Sequence, residues 1–148
     1  MREGMDDMKF KNSKYRIAID TTTGSICSII SGGKEFVGKR LPLFSFQLRK
    51  GGEAVEYTSD SAKKIELTGS INCMKATFSG FENYELTFNV EAVFADRIEW
   101  HLSFENDTGR CVEWVNFPLI AVPNDLVRTG GSGRLLINSN EGLVVEDM

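Results

Sequence analysis

Histidine, proline and cysteine are scarce: one histidine (His101), three prolines and three cysteines in 148 residues. A single imidazole excludes any mechanism that needs a histidine pair. Without a G-x-S-x-G elbow, serine-histidine-acid chemistry also lacks its usual frame. Cys27, Cys73 and Cys111 are dispersed through apolar or alternating runs and form no C-x-x-C pair. Such a set is a poor disulfide framework and a poor zinc site, and reads as small buried hydrophobes. No apolar run approaches the ~20 residues of a membrane-spanning helix, and the polar start, Met1 to Lys14, does not resemble a signal peptide. Positive charge is not in excess either: 17 Lys and Arg stand against 21 Asp and Glu, for a net charge of −4. That balance argues against nucleic acid as a partner. The run Gly130-Gly131-Ser132-Gly133 matches neither a dinucleotide fingerprint nor a phosphate loop, and reads as a flexible turn. No cofactor, metal or catalytic set is expected from these residues.

What is present is ordinary globular material, 41% hydrophobic and 26% charged, enough for one domain with a real core. Residues 1–13 read as a flexible N-terminal segment and residues 14–148 as the domain. Helical periodicity is nearly absent. Short period-two runs rich in Val, Ile, Phe, Thr and Tyr recur between Gly, Asn, Asp and Ser clusters, which predicts an all-β antiparallel two-sheet sandwich with little or no helix. The turns Thr21-Thr22-Thr23-Gly24 and Ser31-Gly32-Gly33-Lys34 should close the first hairpins.

The most specific expectation concerns Tyr84 to Phe94 and Ile98 to Glu105. Leu86, Phe88, Val90, Ala92 and Phe94 share one face of the first run, and Ile98, Trp100, Leu102 and Phe104 share one face of the second. A two-residue loop would set Phe94 against Arg97 and put each apolar face beside a polar one. A loop of Ala95, Asp96 and Arg97 pairs Phe94 with Ile98 and Val90 with Leu102, keeping one face dry. The same register sets Glu91 against His101 and Asn89 against Ser103 on the wet face. Val112 to Ile120 alternates poorly: Val112 and Trp114 fall on one parity, Val115, Phe117 and Leu119 on the other. Either both faces of this strand are covered, or it leaves one sheet for another. Pro118 should make it break, bulge or reach an edge there.

The segments Tyr15-Arg16-Ile17-Ala18-Ile19-Asp20, Thr23-Gly24-Ser25-Ile26 and Lys34-Glu35-Phe36, with Val115-Asn116-Phe117-Pro118-Leu119-Ile120 and Glu141-Gly142-Leu143-Val144 later, resemble the N-terminal β-sandwich of glycoside-hydrolase-like proteins, a galactose-mutarotase-like supersandwich. The resemblance implies a supporting domain ahead of a catalytic barrel that carries the glycosidase carboxylates itself. The chain would then be a separated non-catalytic module, with a downstream catalytic domain as its partner and an exposed apolar patch where that domain docks. Mutarotase chemistry does not carry over, since it uses a histidine pair.

The alternative is a stand-alone carbohydrate-binding module. Trp114 would be either core or a flat platform for a sugar ring, and Asn116, Asn124 and Asp125, with the 121–133 connection as rim, would supply directional hydrogen bonds. Turn and edge roles explain those polar residues equally well. Glu91, Glu99 and Glu113 are the acids that could converge as a glycosidase pair. Abundant Ser, Thr and Asn fits an exported parent, and self-association through sheet edges is a further expected partner.

Overall fold

The computed structural model describes residues 7–123 and the backbone of two further strands, Arg134–Ile137 and Leu143–Glu146. It is all-β and sandwich-like. In chain order the strands are β1 (Asp7–Lys11), β2 (Tyr15–Asp20), β3 (Ile26–Ser31), β4 (Lys34–Glu35), β5 (Ser45–Lys50), β6 (Glu53–Thr58), β7 (Lys64–Gly69), β8 (Cys73–Phe81), β9 (Tyr84–Phe94), β10 (Ile98–Asn106), β11 (Cys111–Asn116), β12 (Arg134–Ile137) and β13 (Leu143–Glu146). One 3-10 turn, Ser59–Ser61, is the only helical element among the described residues. No helix there is long and apolar enough to cross a membrane.

Among residues 7–123 the sheets form two layers. One is the four-stranded sheet β10-β9-β8-β7; the other is made of β1-β2-β3-β4 and β11-β5-β6, bridged by Lys39 and Ala121. Alternation turns one face of the longer strands inward. The layers meet through aromatic rings because Phe44, just before β5, and Phe46, the second residue of β5, reach across to β8 and β9. Phe44 stands edge-on to Phe78 at 5.0 Å, and both Phe44 and Phe46 lie 4.7 Å from Phe88. Phe10 of β1 stacks on Phe94 at 4.2 Å, closing the other end of the layer. Gly24 sits at φ 72° directly over Phe78, where a β-carbon would lie 2.7 Å from the ring, so both the turn and the close approach require glycine.

One buried hydroxyl ties the connection to the core. Ser59 Oγ accepts from the backbone N–H of Leu43 (2.8 Å) and of Phe44 (3.3 Å), with the serine fully buried. Those two amides would otherwise be buried without a partner, a cost of about 1–3 kcal/mol for each unsatisfied group.

The β9-β10 hairpin has the three-residue loop and the whole expected register, from Ile98 opposite Phe94 to Phe104 opposite Phe88. Two expectations need correction. Residues 7–11 are not a loose leader: β1 pairs with β2 over its full length, because Met8 and Phe10 alternate with Lys9 and Lys11 and Phe10 is buried. The cysteines are not all buried either. Cys27 and Cys73 are half-buried, Cys111 is exposed, and all three are free thiols.

Candidate functional site

The uneven alternation of β11 has a third explanation beside the two expected from sequence. The strand carries a β-bulge: Val112 opposes Leu48, Trp114 opposes Gln47, and Glu113 is the extra residue between them. Val112 therefore faces inward with Leu48 before the bulge, and Val115 faces inward with Phe46 after it. One inserted residue swaps which parity is apolar. Trp114 and Asn116 consequently lie on the outer face, on the parity of Gln47 and Ser45.

Trp114 is half-buried and lies outside the set of described side chains packed on the core. Around it the face is polar. Asn116 Nδ2 donates to Ser45 Oγ at 3.4 Å. Arg49 Nε donates to both oxygens of Glu113, at 2.9 Å each, and Gln47 Nε2 donates to the same carboxylate. The Arg49 bond, then the Gln47 bond, hold the Glu113 pKa below the usual carboxylate range. The outer face thus presents an indole framed by two amides and a clamped carboxylate. Its chemistry is apolar contact with directional hydrogen bonding, which is what a pyranose ring offers in return. Asn124 and Asp125, and most of the 121–133 connection, lie outside the described residues. Tyr84, an aromatic at the start of β9, has its ring covered: the Arg110 guanidinium lies over it at 5.0 Å and pairs with Glu53 at 3.5 Å.

Gln47 and Arg49 were not singled out from sequence. Their outward direction follows from buried Phe46 and Leu48 on either side. Their partnership with a carboxylate 64 residues or more away depends on β5 pairing with β11, a non-local match that no local pattern announces.

The three glutamates do not converge. Glu91 and Glu99 lie on the polar face of β9 and β10, opposite His101 and Val93, whereas Glu113 belongs to the other layer. The Glu91 face holds a shallow depression of about 330 Å³, crossed by the rows Lys75, Glu91, His101 and Thr77, Asn89, Ser103. Cys73 Sγ donates to Glu91 Oε1 at 3.5 Å, and burial, then that bond and charge, push the Cys73 pKa up. Burial, then Asp7, push the Cys27 thiol up to about 11. Neither thiol is activated as a nucleophile. A second depression, about 490 Å³, lies beyond the β8-β9 turn and is lined by Glu82, Glu85, Glu105 and Asp107 with Lys63. Among the described residues, no three His, Cys, Asp or Glu side chains are grouped to hold a metal ion. No protein-family model matches the chain, and no curated protein matches it.

Proposed function

We infer that the chain is a non-catalytic β-sandwich module of a carbohydrate-processing, glycoside-hydrolase-like protein, supporting a catalytic domain carried elsewhere in that protein. The observation behind this reading is the state of Glu113. A glycosidase acid needs a raised pKa, and a second carboxyl within about 5–10 Å. Glu113 is held in the opposite sense by Arg49 and Gln47, and the other candidate acids sit on another layer. The test is hydrolysis of aryl glycosides by the intact chain. The module reading expects no turnover; turnover that disappears in Glu113→Gln or Glu91→Gln would overturn it.

A second reading, a stand-alone carbohydrate-binding module, is favoured by the outward direction of Trp114 beside Gln47 and Asn116. Titrating the chain with oligosaccharides while following tryptophan emission should give a saturable change that Trp114→Ala abolishes and Trp100→Phe leaves in place. Binding that survives Trp114→Ala removes the basis of this reading.

A further inference from the structure

Exposed sheet edges invite pairing with another chain, and proteins guard them with lysine, proline, bulges or short length. Among the described strands four edges are guarded in that way, while β6, the other edge of the β11-β5-β6 sheet, lacks them but runs only six residues. β1 carries Lys9 and Lys11, β4 has two residues, β7 opens on Lys64, and β11 is bulged. β10 has none of these devices. It runs nine residues without Lys, Pro or a register shift, and among the described strands it pairs only with β9. Its apolar face is also incompletely covered, with Trp100 and Leu102 half-buried and Phe104 43% exposed.

We propose that β10 is the interface at which two copies of this chain pair antiparallel, joining their four-stranded sheets into one of eight strands. The occupant is a second copy because the β10 sequence is complementary to itself in one register. Keeping apolar residues on one face requires an even shift, which leaves three central alignments. A two-fold axis at Leu102 opposes Glu99 to Glu105 twice. An axis at Trp100 shortens the ladder and sets Phe104 against Asp96. An axis at His101 avoids both faults. It pairs Ile98 with Phe104 and Trp100 with Leu102 on the apolar face and Glu99 with Ser103 beside the central His101 pair, and it brings Arg97, the loop residue just before β10, to Glu105 at each end. Opposite charges directly across a ladder stabilise it and like charges weaken it. The Arg97 side chain is 85% exposed and, among the described residues, bonded only to nearby Glu99, so it can turn to the partner. The two-fold repeats each pair, which makes the contact isologous and closed. This inference is independent of the carbohydrate reading.

Charge reversal tests it without touching the core. In Arg97→Glu, the introduced glutamates would oppose Glu105 twice; in Glu105→Arg, the introduced arginines would oppose Arg97 twice. Sedimentation of the intact chain should show a concentration-dependent dimer, and each variant alone should raise its dissociation constant about tenfold or more. Mixing the two variants should restore the dimer, because the glutamate introduced into one copy then meets the arginine introduced into the other, and a misfolded variant could not be rescued that way. A chain that stays monomeric to its solubility limit, variants that dimerise as the parent does, or a mixture that stays monomeric would each overturn the proposal.

Discussion

β9 and β10 are the two arms of one hairpin and carry the same pattern, yet they end in different surroundings. Leu86, Phe88, Val90, Ala92 and Phe94 of β9 are all buried, at 5% exposure or less. Their cross-strand partners on β10 are half-covered, and Phe104, directly opposite fully buried Phe88, is exposed. The difference comes from position in the layer. β9 is central, flanked by β8 and β10 and roofed by Phe44 and Phe46. β10 is the edge, and its roof is thinner: Phe117 reaches Trp100 edge-on at 5.9 Å. Period-two alternation therefore reports which way a side chain faces and says nothing about whether the opposite layer extends far enough to cover it.

Single truncations along this pair should grade accordingly. Phe88→Ala removes a ring that touches Phe44, Phe46 and Phe81, and should cost about 3–5 kcal/mol in chemical denaturation. Trp100→Ala, which loses contacts to Phe94 and Phe117 on a half-covered site, should cost about 1–3 kcal/mol. Phe104→Ala should cost less than about 1 kcal/mol, since its ring is already partly in water. Equal losses at Phe88 and Phe104 would mean that the edge is as well covered as the centre. Outside the pair, Ser59→Ala strands both the Leu43 and the Phe44 amide and should cost about 2–6 kcal/mol, at about 1–3 kcal/mol for each.

The smallest expected effect is a pH slope from Tyr57, whose hydroxyl donates to Glu82 at 3.1 Å. Burial first, then the Glu82 bond and charge, push its pKa up to about 12 from 10.0. A folded-state value above the unfolded one means that the native state holds this proton more tightly. Its contribution is whole below pH 10 and lost as pH rises toward about 12. Melting Tyr57→Phe across that range should remove this part of the slope, and an unchanged slope would assign it to other groups.

Much of the fold is legible in the sequence because its information is local. The β9-β10 register follows from keeping one face dry, and Thr21 to Gly24 announces its turn. β1 escapes a sequence reading because its signal is only two apolar residues, Met8 and Phe10, among charged ones, and the partner that makes them a strand is β2. Of the candidate site, the direction of Trp114 stays open in sequence. A bulge is a property of a strand pair, so its parity swap becomes visible only once β5 is known to lie beside β11. Gln47 and Arg49 stay hidden for the same reason. The exposure of Cys111 is unreadable because it depends on that strand lying at the edge of its sheet.

The residue in excess on β11 has a consequence for length variation. Removing Glu113 would let Val112 and Trp114 follow one another in an unbroken ladder, with every later side chain still pointing where it does now. Removing Val115, two positions on, would turn Asn116 toward the core and Phe117 toward water. The strand is therefore tolerant of shortening at one position and intolerant at its near neighbour.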